Sequence, residues 1–211
     1  MNVDFASDET PRPSAPMKAR TTPQELLAVI EALATENRSL RAEVDALTSF
    51  KQLAYRDTLT GLHNRRSFDE RLEAEWARAR RYGGDVSLVL VDLNDFKAIN
   101  DRAGHAKGDE VLRFVAQILS TSARTCDVAF RFGGDEFALL LPDTDADGAE
   151  ALMDRVVARL YAEDDCLALP PPLRLAISFG VSDAFDANSP AELFEQADEA
   201  MYESKRISKV A

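Results

Sequence analysis

Two carboxylates follow two glycines in Arg131-Phe132-Gly133-Gly134-Asp135-Glu136-Phe137. The apolar run Val128-Ala129-Phe130 leads in and Ala138-Leu139-Leu140-Leu141 leads out, so the stretch predicts a tight β-hairpin with the glycines at its tip. Glycine has no Cβ, which lets backbone approach a phosphate closely. Adjacent carboxylates offer the oxygen ligands that magnesium takes, with waters and phosphates completing the shell. A further carboxylate, Asp92, ends the buried-strand run Val86-Ser87-Leu88-Val89-Leu90-Val91-Asp92-Leu93. If the two strands are neighbours, Asp92 and Asp135 converge on one metal ion.

The elements that must position these groups follow from pattern. A helix is predicted from about Ser67 to Tyr82, with Phe68, Leu72 and Trp76 on one face and Gly83-Gly84 ending it. Gly104 to Asp109 reads as a loop, and a helix follows from about Asp109 to Ala123. Another helix spans about Ala146 to Ala162, Leu173 to Val181 alternates as a strand, and Ser189-Pro190-Ala191-Glu192 starts a last helix. Asp143-Thr144-Asp145-Ala146-Asp147-Gly148 resembles a calcium loop, but Pro142 ends a strand before it, so it reads as a helix-capping loop. Helices and strands mixed around a central hairpin give an α+β sandwich with helices packed on a sheet.

Upstream, Thr22-Pro23-Gln24-Glu25 is a helix start with a capping box. Leu26, Ile30, Leu33, Asn37, Leu40, Val44 and Leu47 then alternate in steps of four and three. That spacing predicts a parallel two-stranded coiled coil, with Asn37 at an a position fixing register. The expected organisation is a disordered tail over 1–21, a dimeric coiled coil over 22–53 and a globular domain over 54–211. Asp57 to Arg66 joins the last two, with Asp57 able to pair with an arginine.

The net charge is −12, which argues against nucleic-acid or anionic-membrane partners. Cys126 and Cys166 show no metal spacing, and no apolar run is long enough to span a bilayer. A cytoplasmic setting is expected.

Arg131-Phe132-Gly133-Gly134-Asp135-Glu136-Phe137 resembles the signature of the GGDEF family of diguanylate cyclases. Asp57-Thr58-Leu59-Thr60-Gly61-Leu62-His63-Asn64-Arg65-Arg66 is similar to the segment that opens that domain, and Phe96-Lys97, Asn100-Asp101, Gly104-His105, Gly108-Asp109 and Ala197 to Lys205 fall as in the family. The resemblance covers about 52–211. It implies a nucleotidyl cyclase or palm-like fold, with a central, mainly antiparallel sheet and helices packed on it. It implies a bacterial signalling enzyme that condenses two GTP into cyclic di-GMP with release of pyrophosphate, in a dimer. The alternative is an inactive module that binds GTP or cyclic di-GMP as a sensor.

By position, Asp92, Asp135 and the Leu93 carbonyl would hold Mg2+ or Mn2+, and Asp135 or Glu136 would take the hydroxyl proton. Asn100 and Asp109 match the guanine-binding positions, His105 adds to that site, and Phe96 is a further substrate-binding position. Lys97, Gly133, Gly134, Lys205 and Lys209 match the phosphate end. Arg124 and Asp127 match a product-inhibition motif, to which Arg155 adds. Arg suits that role because it pairs with guanine and stacks on the base. The sequence departs from the family in two places. Asn94 stands where Asp is frequent and is expected to point away from Asp92; Ser208-Lys209 stands for Gly-Arg, and Lys lacks the bidentate fork. No regulatory protein or input signal is legible.

Overall fold

A computed structural model describes residues 22–208. The expected disordered tail and Lys209 lie outside the described residues. The chain divides into two compact units, 1–48 and 49–211, which are taken separately.

The described residues of the first unit are helical. Helix α1 runs Pro23–Tyr55 and so continues into the second unit. Its start is a reciprocal capping box: Thr22 N–H donates to Glu25 Oε2 at 2.7 Å, and Glu25 N–H donates to Thr22 Oγ1 at 3.3 Å. Leu26, Ile30, Leu33, Leu40, Val44 and Leu47 are all more than half exposed in the single chain.

The second unit begins with strand β1 (His63–Asn64) and helix α2 (Arg65–Tyr82). Asn64 caps α2 by accepting from Ser67 N–H, so the helix starts two residues before the expected Ser67. Strand β2 (Val86–Leu93), helices α3 (Phe96–Ala103) and α4 (His105–Ser122), and the hairpin of β3 (Val128–Gly133) and β4 (Glu136–Pro142) follow. Helix α5 (Ala146–Glu163), strand β5 (Ile177–Asp183) and helix α6 (Pro190–Ser208) complete it. The fold is α+β. One sheet has the order β1-β3-β4-β2-β5, with only the β1–β3 pair parallel.

Side-chain alternation along β2 divides the interior in two. Val89, Val91 and Leu93 pack with α3, α4 and α5 on one face of the sheet. Val86, Leu88 and Leu90 pack with α2 and α6 on the other. A strand covered on both faces reads as an unbroken apolar run, as this one does. Its register continues the second face to Asp92, which is therefore directed toward α6.

Strand β5 shows a different economy. Ser178, Gly180 and Ser182 are small and buried, and Ser182 Oγ donates to the Leu193 carbonyl at 2.6 Å. This small-residue stripe lets the backbone of α6 lie close against the strand.

Two sequence expectations are corrected here. Gly104–Asp109 is not a loop: Gly104 separates two helices, and α4 already begins at His105. The glycines suggested a break, but Gly108 is buried within α4 because the side chain of Asn100 occupies the space beside it. The last strand begins at Ile177, not Leu173. The 143–148 segment caps a helix as expected: Asp145 accepts from Gly148 N–H at the start of α5. Among the described residues no helix is long and apolar enough to cross a membrane.

Candidate active site

The β3–β4 turn is built on two glycines with positive φ, Gly133 at 136° and Gly134 at 58°. Only glycine adopts both without strain. The pairing slips between Arg131 and Gly133, which leaves Gly134 and Asp135 at the tip. In register, Asp92 of β2 stands opposite Glu136 of β4. The Leu93 N–H donates to the Asp135 carbonyl at 3.2 Å. Asp92, Leu93, Asp135 and Glu136 thus meet at one end of the β2–β4 pair.

Lys205 of α6 joins them. Its Nζ donates to Asp92 Oδ1 at 2.6 Å, in an ion pair whose acid is 9% exposed and whose lysine is 30% exposed. Asp198 lies seven residues earlier on the same helix, two turns away and on the same face. A hollow lined by Arg65, Phe132, Glu136, Phe194, Asp198 and Met201 connects the turn to α6. The Arg65 guanidinium sits 4.5 Å from the Phe132 ring centre, over its face.

Partial burial pushes the Glu136 carboxyl above its usual range, and the negative charges of Asp92, Asp135 and Asp198 add to the effect; Lys205 offsets part of it. A raised acid holds a proton in the folded state that the unfolded chain has already released. The fold therefore loses stability as pH rises from the ordinary glutamate value, 4.5, through the higher folded value. Glu136→Gln is expected to abolish that loss and so to raise the urea midpoint at pH 7 relative to pH 4. Equal midpoint changes at both pH values would contradict it.

Arg131 secures the turn from behind. Its Nε and Nη2 donate to the Gly134 carbonyl at 3.3 and 2.7 Å, and its Nη1 donates to Asp57 Oδ1 at 3.0 Å. Asp57 also accepts from Thr60 N–H and Oγ1. Burial acts to raise the Asp57 carboxyl, but the hydrogen bonds from Thr60 and Arg131 prevail and hold it below its usual range. The opening segment and the turn are thus one bonded unit.

A second group forms where α3 meets α4. Phe96 is buried, Asn100 and Asp109 are partly buried, and Lys97 and His105 are exposed. Asn100 lies over Gly108: a Cβ built there would come 2.0 Å from Asn100 Oδ1.

A third lies at the turn between α4 and β3. Asp127 Oδ2 accepts from Arg124 N–H at 2.7 Å, and Asp127 N–H returns to the Arg124 carbonyl at 3.1 Å. The Arg124 side chain is exposed. Arg155 bonds the Ala151 carbonyl of its own helix. The arginine that crosses from α5 to the end of α4 is Arg159, whose Nη1 donates to Thr121 Oγ1 and Ser122 Oγ, each at 3.0 Å.

The expectation for Asn94 is reversed. Its Nδ2 donates to Ser208 Oγ at 3.4 Å and its Oδ1 accepts from Ser178 Oγ at 2.9 Å, so it faces α6, as Asp92 does. Positions two apart on an extended chain share a side. Sequence reasoning also gave no part to Asp198, Arg131 or Arg159. The two-turn spacing from Lys205 was the available signal for Asp198.

A metal fits the donor set at the turn. It is all oxygen, from Asp92, Asp135, Glu136 and backbone, as a hard divalent cation prefers. Among the described residues no three Asp, Glu, His or Cys groups form a cage by themselves. Magnesium needs none, since it commonly takes one or two carboxylates plus water and phosphate.

The architecture is that of solved GGDEF domains. The coiled coil and GGDEF domain of DgcB from Caulobacter crescentus, solved with c-di-GMP, superposes with a TM-score of 0.75 at 28% identity, over 85% of this chain and 95% of that one. The diguanylate cyclase SiaD from Pseudomonas aeruginosa, solved with its activator SiaC, gives 0.69 at 31% identity, over 87% and 70%. The family model for "Diguanylate cyclase, GGDEF domain" matches residues 54–210, and the chain belongs to the GGDEF family. Diguanylate cyclase DgcP of Pseudomonas aeruginosa is 39% identical over 88% of this chain, and response regulator PleD of Caulobacter vibrioides is 37% identical over 90%. The chain spans 28% and 42% of their respective lengths.

Proposed function

We propose that the chain is an active diguanylate cyclase that condenses two GTP into cyclic di-GMP, releasing two pyrophosphates. The observation that carries the reading is the register of Asp92 against Glu136, which gathers the carboxylates at a turn open to phosphate. Asp92, Asp135 and the Leu93 carbonyl would hold Mg2+ or Mn2+. Bound there, the ion would neutralise the triphosphate and favour ionisation of the attacking 3′-hydroxyl.

The protein's own groups do the rest. Glu136, raised by its neighbours, is suited to take a proton near neutral pH; Asp135 is the other candidate base. Backbone at Gly133 and Gly134 cradles phosphate. Lys205 exchanges Asp92 for a phosphate oxygen, assisted by Lys97 and Lys209. Asn100 and Asp109 accept from the guanine N–H groups, with Phe96 and His105 beside them. A site built on such bonds rejects adenine, because its buried polar groups would be left unpaired.

Each domain supplies half of the reaction, so the working form is a homodimer. The heptad face of α1, exposed from Leu26 to Leu47, is the proposed contact within the segment 22–53, parallel, with the domain at 54–211 following. Product inhibition would act through Arg124 and Asp127, with Arg155 reaching the same ligand. The setting proposed is the bacterial cytoplasm, with no nucleic-acid or membrane partner. A regulatory protein, as SiaC is for SiaD, is compatible with the helix.

Incubation with GTP and magnesium, after bound product is stripped, is expected to yield cyclic di-GMP, with specific activity rising with protein concentration. Asp135→Asn is expected to lower turnover by at least about 100-fold while cyclic di-GMP binding persists. Product binding without turnover in the unaltered protein would identify a sensor module instead.

A further inference from the structure

On the sheet edge formed by β1 lies a hollow of about 260 Å³, separate from the carboxylate cluster. It is bounded by Arg56, His63, Arg71 of α2, Ser120 near the end of α4, and Thr125 and Asp127 of the α4–β3 turn. Arg56 and Arg71 are exposed, and among the described residues neither makes an ion pair. Arg56 donates once, to the Gly61 carbonyl at 2.9 Å. The acid in the wall, Asp127, has one carboxylate oxygen engaged by the Arg124 N–H.

We propose that this hollow is a phosphoryl-binding pocket, with the guanidiniums of Arg56 and Arg71 as its anion ligands. Two guanidinium groups offer forked donors that match phosphate oxygens, and their charges are not neutralised by the protein. A reporter of the local potential sits in the wall. Burial, followed by the charges of Arg56 and Arg71, holds the His63 imidazole down at about 4, so it is neutral at physiological pH. Its Nδ1 lies 2.8 Å from Ser67 Oγ.

The phosphoryl group has two possible sources. One is cyclic di-GMP held at Arg124 and Asp127 and reaching a phosphate over the turn; this source rests on the product-inhibition reading above. The other is free pyrophosphate, the by-product of the proposed reaction. Either would compete with the Gly61 carbonyl for Arg56. Gly61 closes the segment that begins at Asp57, and Asp57 holds Arg131 against the catalytic turn. The pocket thus lies within a short bonded path of the active site.

The test titrates the full chain with sodium pyrophosphate and, separately, with cyclic di-GMP, both without magnesium. Calorimetry reads affinity, and NMR follows the His63 ring against pH. A bound anion offsets the guanidinium charges, so the His63 titration moves upward from about 4. Arg71→Gln is expected to weaken binding about tenfold or more with an unchanged thermal midpoint, and Arg56→Gln, which also gives up its bond to the Gly61 carbonyl, to weaken binding as much. Arg124→Ala is expected to weaken cyclic di-GMP alone. If pyrophosphate moves His63 and Arg71→Gln abolishes the movement, the pocket stands even where cyclic di-GMP fails to bind and the product-inhibition reading falls. If cyclic di-GMP binds the unaltered protein and both glutamine variants equally, with His63 unmoved by either ligand, the pocket is refuted and product inhibition survives. If neither ligand binds or moves His63, the proposal is refuted as well.

Discussion

Gly180→Ala is expected to destabilise the protein by about 3 kcal/mol or more, lowering the thermal midpoint by roughly 6–12 °C. The methyl group would arrive 2.1 Å from Met201 N, 2.2 Å from the Ala197 carbonyl oxygen and 2.7 Å from Ala200 C. All three are backbone atoms of α6, and no rotamer change can move them aside. The helix must lift from β5, and the contacts of Leu193, Ala197 and Met201 with the α2 face of the sheet go with it. The same lift draws Lys205 away from Asp92, so turnover should fall in the fraction that stays folded. Urea denaturation, read beside turnover at a temperature where the variant is folded, checks both effects. A midpoint within about 2 °C of the parent would show that α6 does not sit where its backbone contacts place it.

Gly108→Ala offers an equally short approach with the opposite readout. Its Cβ would lie 2.0 Å from Asn100 Oδ1, the far end of a flexible side chain, and 3.2 Å from Phe96 Cζ. Asn100 can swing out, and alanine is the better helix former by about 1 kcal/mol, so stability should change little. What is lost is the placement of the Asn100 amide. Under the proposed function the variant should raise KM for GTP by about ten- to a hundredfold, the cost of a displaced polar contact to the base. Discrimination against ATP should shrink in parallel. Steady-state assays with GTP and ATP, together with a thermal midpoint, separate this from unfolding. Unchanged KM with an altered midpoint would remove Asn100 from base recognition.

These two glycines also mark how far the sequence could be read. Glycine next to glycine between apolar runs announced the hairpin, because that geometry is local to a few residues. Gly108 was read as a loop residue, since nothing local reveals that Asn100, on the preceding helix, needs its missing side chain. Gly180 looked like an ordinary strand position, and only the packing of α6 shows its role. The even-numbered face of β2 was available from alternation alone, yet Asn94 was placed on the wrong side of it. The Lys205–Asp92 pair was not foreseen, and Asp57 was expected to meet an arginine without Arg131 being singled out, because each pair joins segments far apart along the chain. The capping boxes, by contrast, complete themselves within four residues and could be written down directly.

The sheet order has a kinetic consequence. Strand β2 is flanked by β4 and by β5, and its pairing partner for Ser87 in β5 is Asp183. Closing so long an interval costs more chain entropy than closing the β3–β4 hairpin, whose strands adjoin in sequence. Arrival of β5 and α6 is therefore expected to come late in folding, and their departure to come first in partial unfolding. Asp92 would then be left without Lys205 while the glycine turn kept its form. Competence for chemistry would thus be gained last and lost first, with most of the sheet still intact.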